Sequence, residues 1–243
     1  FYAPLYRRFL DRVSRVIVTS AAYARTSPWL APHGAKCRVV PLGIDAHAFA
    51  PGPAGEAAQT DLLFAGKLRY YKGLDDLLLA LQQLDGVRLT VVGDGKMRRR
   101  LEALAAAPAL AGRVRFLGEV PDAALPLLYR SAKVFVLPAN CRAEAFGTVL
   151  LEAMASGLPC ITTELGTGTS WVVRDGVSGR VVPPRDPGAL ARAVRELLGD
   201  PAKCRRMGDA GRARVLETFT TDRMAAGVEA VYREVLESGM CGE

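Results

Sequence analysis

Histidine is scarce in this sequence, and paired aspartates of the Asp-x-Asp kind are missing. The 243 residues include only His33 and His47, which we interpret as surface or turn residues. Asp-x-Asp pairs often hold a divalent cation against a diphosphate, because hard cations prefer carboxylate oxygens. The sequence therefore predicts neither a Ser-His-Asp catalytic arrangement nor a metal site.

The cysteines and the apolar runs indicate no disulfide framework, zinc site or membrane span. Five cysteines, an odd number, stand at positions 37, 141, 160, 204 and 241 without paired spacing, which fits neither a disulfide framework nor a zinc motif. No apolar run reaches the roughly 18 residues of a membrane span, and nothing resembles a signal peptide. We expect a cytoplasmic protein and, because the chain starts at Phe1 without Met, a fragment.

The charge is unbalanced in favour of cations. Lys and Arg number 32 against 25 Asp and Glu, for a net charge of +7 and a pI near 9.4. The basic residues are dispersed and form no stripe interleaved with aromatics, so no nucleic acid partner is expected. A phosphate-bearing substrate, peripheral contact with the acidic inner face of a membrane, or the ordinary surface of an arginine-rich protein each account for the excess.

Apolar runs alternate with helical patterns from Asp61 onward. This alternation predicts an α/β domain, a Rossmann-like parallel sheet with helices on both faces, with ligands at the carboxyl ends of the strands. The predicted strands are LLFAG, VRLTVVG, VRFLG, VFVLP, PCITT and GRVVP; the predicted helices span 74–84, 97–106, 123–130, 148–155, 187–198, 202–217 and 221–237.

The stretch from Ala143 to Gly157 is the most informative. It contains a predicted helix, Thr148–Ala155, that is apolar nearly all round and yet is associated with Glu144 and Glu152. At ~1.5 Å per helical residue the two carboxylates would be roughly 12 Å apart, about the length of a sugar diphosphate. The free amides near Phe146, Gly147 and Thr148 suit an anion. Alternatively, Glu144 only complements the helix dipole and Glu152 pairs with an Arg.

Three further loops follow predicted strands. Gly66 permits a sharp turn, and Lys67 and Lys72 place two cations at the binding edge, although a basic loop before a helix is common. Gly93 belongs to an incomplete Gly-x-Gly-x-x-Gly pattern and is interpreted as a turn. Asp122 is expected to cap the helix that follows it.

Glu144, seven residues and Glu152, set in EAFGTVLLEAMASGLP, resemble the signature of the retaining nucleotide-sugar glycosyltransferases of family 4, which have the GT-B fold. The Lys-Gly pair at Lys72 agrees with that pattern, whereas Lys67 replaces the usual Arg and Ala145 the usual Gly or Ser. Arg69 is an alternative source of the missing guanidinium. Ser170 replaces a Glu of the pattern, and this version resembles bacterial mannosyl and rhamnosyl transferases of surface polysaccharide assembly.

The resemblance implies transfer of a hexosyl group, mannose or a related sugar, from a nucleoside diphosphate sugar to a saccharide or lipid-linked saccharide, with retention and without a metal cofactor. Glu144, Lys67 and Lys72 would be catalytic, with Glu144 orienting the donor sugar and the lysines the diphosphate. The remaining donor-binding residues would be Gly66, Arg69, Gly93, Val120, Asp122, Phe146, Gly147, Thr148 and Glu152. A carboxylate at Asp122 would favour a GDP-sugar over a UDP-sugar.

The resemblance also divides the chain. Residues 1–45 would be a remnant of an N-terminal acceptor-side domain, 46–60 a linker, 61–220 the nucleotide-sugar-binding domain and 221–243 a helix crossing back to the first domain. The rest of that N-terminal domain would be a partner. Two alternatives are a binding module without turnover and a pyridine-nucleotide dehydrogenase domain, the latter disfavoured because Lys67 and Tyr70 follow the first strand of the domain instead of a glycine-rich turn.

Overall fold

The computed structural model describes residues 2–52 and 59–240 of the chain. Its ten α-helices are α1 Ala3–Arg12, α2 Ala21–Thr26, α3 Leu74–Leu81, α4 Arg98–Ala105, α5 Leu125–Arg130, α6 Thr148–Ala155, α7 Thr169–Val172, α8 Pro187–Leu198, α9 Pro201–Thr218 and α10 Thr221–Met240. Its eight strands are β1 Val16–Val18, β2 Cys37–Val39, β3 Thr60–Ala65, β4 Leu89–Val92, β5 Val114–Gly118, β6 Ala132–Leu137, β7 Cys160–Thr163 and β8 Gly179–Val182.

Six strands form one sheet in the order β5-β4-β3-β6-β7-β8, and every pairing is parallel. Consecutive residues of β3 and β6 are buried, which requires helices on both faces of the sheet. The predicted α/β, Rossmann-like fold is therefore confirmed. The chain reverses its direction of travel across the sheet between β3 and β6, and the loops that follow these two strands diverge there, which is where such sheets bind ligands.

A second, two-stranded parallel sheet pairs β1 with β2 over a small cluster of Leu10, Val18 and Leu30. Helix α10 contacts this small sheet through Glu234, whose carboxylate accepts hydrogen bonds from Arg15 and Arg38. The division at 1–45, 61–220 and 221–243 stays a prediction. Within the predicted linker 46–60, Ala46 is buried and Phe49 packs edge-on against a tyrosine of α5, whereas 53–58 lie outside the described residues.

Helix α6 begins and ends as predicted, whereas some other boundaries differ. The predicted helix 123–130 is split into a 3₁₀ turn, Asp122–Ala124, followed by α5. The prediction that Asp122 caps this helix is wrong, because Pro121 occupies the N-cap position of the turn and no side chain caps either segment. None of the described helices is both long and apolar enough to cross a membrane.

Candidate functional site

A crevice of about 370 Å³ opens at the carboxyl ends of β3, β4 and β5. This volume lies within the usual range of small-molecule sites. Six residues predicted to bind a donor line it: Gly66, Lys67, Gly93, Val120, Asp122 and Glu152. Asp94 and Glu119 also line it, although the sequence analysis did not select them. The structure therefore brings residues from three loops and from α6 to one site.

Glycine is required at position 93 to let two of these loops approach. Its φ of 114° lies in a region that other residues rarely adopt, and a Cβ there would come within 2.2 Å of the Gly66 carbonyl oxygen. The same loop is fixed by the Gly93 N–H, which donates to the Gly118 carbonyl at 2.7 Å. The backbone around Gly66 and Gly93 thus forms a rigid wall of the crevice.

The Glu152 carboxylate is held in place by a buried tyrosine. The Tyr129 hydroxyl donates a hydrogen bond of 2.7 Å to Glu152 Oε2, and the Tyr129 ring is fully buried. Burial raises the pKa of the Glu152 carboxyl, as does the nearby Asp122 carboxylate, while the Tyr129 hydrogen bond and the Lys72 charge lower it. The alternative in which Glu152 pairs with an Arg is wrong. This carboxylate lies at the crevice with a neutral partner, a costly arrangement for a charge.

Glu144 is neutralised differently. Its Oε2 lies 2.5 Å from the Lys72 ammonium nitrogen, and both side chains are nearly covered, with 9% and 12% of their surfaces exposed. Among the described residues no group completes a hydrogen bond of good geometry with that oxygen. Lys72 also lies close to the crevice, since a Cβ added at Gly66 would be 3.7 Å from its Nζ. Lys72 therefore connects the Glu144 carboxylate to the wall of the crevice.

The backbone before α6 leaves its amides free. The hydrogen bonds of the described residues include none donated by the N–H groups of Phe146, Gly147 or Thr148. Gly147 precedes the helix with a φ of 82°, and the Phe146 ring is buried against Trp171 and Phe219. Because Glu144 lies in a turn four residues before the helix, the separation of roughly 12 Å, obtained from helical rise, does not apply.

The loop after β7 supports Glu144 from the other side. Thr167 Oγ1 donates to the Glu144 carbonyl, and the Gly168 N–H donates to the Ala145 carbonyl. Ser170, which replaces a Glu of the pattern, donates at 2.8 Å to Oε1 of Glu164. A carboxylate is therefore present beside Ser170, supplied from a position six residues earlier.

Several predicted site residues are not in the crevice lining, namely Glu144, Lys72, Arg69, Phe146, Gly147 and Thr148. Lys72 and Glu144 contact each other at its margin, and the Arg69 side chain is exposed. Within residues 2–52 and 59–240 no three His, Cys, Asp or Glu side chains are grouped so as to hold a metal ion. The roles of all these residues toward a donor stay predictions.

Comparison with known proteins identifies the family. Residues 54–214 match the family described as "Glycosyl transferases group 1". The chain belongs to this glycosyltransferase family. The prediction made from the paired glutamates, a retaining nucleotide-sugar glycosyltransferase represented mainly by its C-terminal domain, is confirmed.

Two curated relatives and one solved structure illustrate the similarity. This glycosyltransferase chain is 39% identical over 227 residues to D-rhamnosyltransferase WbpZ of Pseudomonas aeruginosa, covering 90% of the chain and 59% of the relative. It is 34% identical over 243 residues to O-antigen chain mannosyltransferase C of Escherichia coli, covering 98% and 65%. The C-terminal domain of the group 1 family protein LpcC of Francisella tularensis has the same fold, with a TM-score of 0.65 at 21% identity, covering 74% of this chain and all of that one.

The chain is shorter than the two relatives. It spans 59% and 65% of the lengths of the two relatives, so it corresponds to part of the proteins that it resembles. The glycosyltransferase chain contains the α/β domain with the paired glutamates and the crevice described above.

Proposed function

We propose that this chain binds a nucleoside diphosphate sugar and, within the complete enzyme, transfers its hexosyl group to a hydroxyl of a saccharide or lipid-linked saccharide with retention. The crevice at the carboxyl ends of β3, β4 and β5, with Glu152 at its base, carries this proposal. Relatives named as a D-rhamnosyltransferase and an O-antigen chain mannosyltransferase favour mannose or a related sugar. A cytoplasmic location with contact to the inner face of the membrane is part of the same proposal.

The diphosphate would be held by cations and backbone amides. Lys67 lines the crevice, and Lys72 lies at its wall with its charge shared with Glu144. The N–H groups at the start of α6, which donate to no group in the part of the chain that the structure describes, add the positive end of a helix dipole. These groups would stabilise the negative charge that develops on the departing nucleoside diphosphate, which is the part of the reaction that a protein can assist most.

The two glutamates would bind hydroxyl groups at opposite ends of the donor. Glu152 projects from α6 toward the crevice and has one oxygen occupied by Tyr129, so its second oxygen is available to the ribose diol. Glu144 has one oxygen against Lys72, and its second would orient a hydroxyl of the transferred sugar. Carboxylates suit both tasks because they only accept hydrogen bonds, whereas hydroxyls donate them.

The base would be recognised by the loop after β5. Glu119 and Asp122 line the crevice on either side of Val120, whose backbone is the expected contact for the base. The guanine edge offers N–H donors that a carboxylate accepts, whereas uracil offers fewer. Asp122 does not cap a helix, which leaves its carboxylate free for that task. The proposal therefore favours GDP-sugars over UDP-sugars.

Retention would follow from attack on the face of the sugar that the diphosphate leaves. The bond from the anomeric carbon to the phosphate oxygen breaks while the bond to the acceptor oxygen forms, and the departing phosphate takes the acceptor's proton. Such a substitution needs no protein base. Lys67, Lys72 and the amides preceding α6 would serve as the charge-stabilising groups, so no metal ion is required by the proposal.

Thermal unfolding with a panel of nucleoside diphosphates tests donor binding. A ligand present at 100 times its dissociation constant stabilises the folded state by about 2.7 kcal/mol. We expect GDP to raise the melting temperature more than UDP, Glu152→Ala to abolish the increase, and EDTA to leave it unchanged. Glu229→Ala, on the exposed side of α10, is the matched control and should retain the increase. Equal increases from all nucleotides would contradict the proposal that the site prefers guanine to uracil.

A second candidate, a binding module without turnover, is favoured by the partial coverage of the relatives. In this case the contact of Arg15 and Arg38 with Glu234 of α10 would only mark where the acceptor-side domain joins. Measuring donor binding and sugar transfer separately distinguishes the two. Transfer by the chain, alone or after an acceptor-side domain is added, supports the enzyme. Binding without transfer in both cases supports the module.

A further inference from the structure

We propose that Tyr129 is a positioning residue for the donor, which holds one oxygen of Glu152 so that the other can accept hydrogen bonds from the ribose. The inference rests on the proposed function, because it assigns a role to the residue beneath the proposed ribose-binding carboxylate. No motif of the chain pointed to Tyr129, which lies 23 residues before Glu152 in the sequence. The fold brings the two together by packing α5 against α6.

The position of the phenol is fixed by its surroundings. Tyr129 is fully buried near the end of α5, with ring centroids 5.8 Å from Phe49 and 5.5 Å from Phe135. Such contacts leave the ring little freedom, so its hydroxyl has one direction in which to donate. That direction leads to Glu152 Oε2 at 2.7 Å. Among the described residues it is the only hydrogen-bond donor to the Glu152 side chain.

The phenol is a permanent donor. Burial and the neighbouring carboxylate raise the pKa of Tyr129 well above its ordinary value, so its proton stays on the hydroxyl throughout the physiological range. A serine or a water could rotate its proton elsewhere, whereas this phenol can serve Glu152 alone. One carboxylate oxygen is therefore always occupied, and the orientation of the other is fixed with it.

The surroundings of Glu152 explain why such support is needed. Asp122 faces it from the 3₁₀ turn and disfavours its ionised form, as burial does, while Lys72 from the loop after β3 favours that form. Besides Glu152, the crevice is lined by three acidic residues, Asp94, Glu119 and Asp122, and by one lysine, Lys67. Of the three, Asp94 is paired with Arg98. Without the Tyr129 hydrogen bond, Glu152 would take up a proton at higher pH. A protonated Glu152 has one oxygen that carries a hydrogen and has lost its negative charge, so it accepts hydrogen bonds from a diol more weakly than the carboxylate does.

Tyr129→Phe tests this role because it removes the hydroxyl and keeps the ring. Hydrogen bonds to charged groups are among the stronger ones, so we expect GDP binding at pH 7 to weaken about tenfold or more. We also expect the acid-side loss of GDP affinity to shift to higher pH, as measured by calorimetry between pH 5.5 and 8.5. A purely structural role would lower stability without moving this pH profile. Tyr232→Phe, an exposed tyrosine on α10, is the matched control and should bind GDP as the unchanged chain does.

A double-variant comparison separates the possible causes. Adding Tyr129→Phe to Glu152→Gln should not weaken GDP binding further, because the neutral amide has no charged form for the phenol to support. If Tyr129→Phe alone fails to fold while the double variant folds, the hydroxyl is compensating the Glu152 charge, which supports the inference. If neither folds, the hydroxyl has a structural role and the inference is overturned.

The inference and the proposed function can fail separately. An unchanged affinity and an unchanged pH profile for Tyr129→Phe, in a chain that binds GDP, would overturn the inference and leave the proposed function standing. Failure of the unsubstituted chain to bind either GDP or UDP would overturn the proposed function and, with it, the role of Tyr129.

Discussion

The two glutamates of the central motif are the same residue type on the same short segment, yet the protein treats them in opposite ways. Glu144, before α6, has its charge matched by Lys72 at 2.5 Å. Glu152, within α6, has a phenol instead of a cation beneath it, and burial raises its pKa. One carboxylate is part of a covered ion pair, and the other is a partly buried charge whose hydrogen-bond donor is neutral.

This difference separates a contribution to folding from a contribution to binding. A covered ion pair is costly to break, because removal of one partner leaves the other charge without compensation. A partly buried carboxylate without a cation beside it costs stability in the free protein, and residues with perturbed pKa values of this kind concentrate at functional sites. We therefore expect substitutions at Glu144 and Glu152 to change stability in opposite directions.

The largest effect is expected from breaking the ion pair. Glu144→Ala leaves the Lys72 ammonium nearly covered and unpaired, so we expect the free energy of unfolding to fall by about 3–5 kcal/mol. Chemical denaturation of the chain without ligand measures this. Glu144→Gln combined with Lys72→Met should recover part of the loss, since neither side chain is then charged. A decrease below about 1 kcal/mol for Glu144→Ala would show that the pair is solvated in solution.

A smaller effect of opposite sign is expected for Glu152→Gln. The pKa of Glu152 is raised in the folded state, so its contribution to stability is greatest when it is protonated, below its ordinary pKa, and is lost as pH rises through the raised value. Glutamine does not ionise, and its amide oxygen can still accept from Tyr129. We expect a gain of about 0.5–2 kcal/mol at pH 8, the usual range for single stabilising substitutions.

The pH dependence is the stringent part of that prediction. The gain from Glu152→Gln should shrink as pH falls and disappear near the ordinary pKa of a glutamic acid. Denaturation midpoints measured between pH 4.5 and 8 provide the comparison, with the unchanged chain at each pH as the reference. A gain that does not vary with pH would mean that packing, and not the charge, explains it. A loss of stability at pH 8 would contradict the proposed difference between the two glutamates.

The contrast between the glutamates could be predicted only in part. Good helix formers between two apolar runs placed α6 at Thr148–Ala155. The strands followed from their apolar runs, because a parallel sheet covered on both faces leaves continuous hydrophobic segments. The partners of the carboxylates could not be found in this way. Lys72 precedes Glu144 by 72 residues, and pairings between distant segments depend on how the loops at one sheet edge approach each other.

Tyr129 left a faint signal that sequence reasoning did not use. It is the only polar residue that becomes fully buried in the apolar pattern LPLLY of α5, and a buried phenol usually has a hydrogen-bond partner. A partly buried carboxylate on the next helix of the chain, Glu152, also needs a donor. Pairing these two requirements would have suggested the contact.

The smallest effect is expected for an exposed ion pair on the protein surface, which sharpens the comparison with Glu144. Arg233 donates at 2.7 Å to Glu229 one turn earlier on α10, and 71% and 63% of these side chains are exposed. Water competes for both charges, so Glu229→Gln should lower the free energy of unfolding by only about 0.3–0.5 kcal/mol, and less in 1 M salt. Denaturation in the same buffer as Glu144→Ala measures it. Similar losses for the two substitutions would mean that burial does not distinguish the pairs, and the assignment of Glu144 to a covered, structurally important contact would then fail.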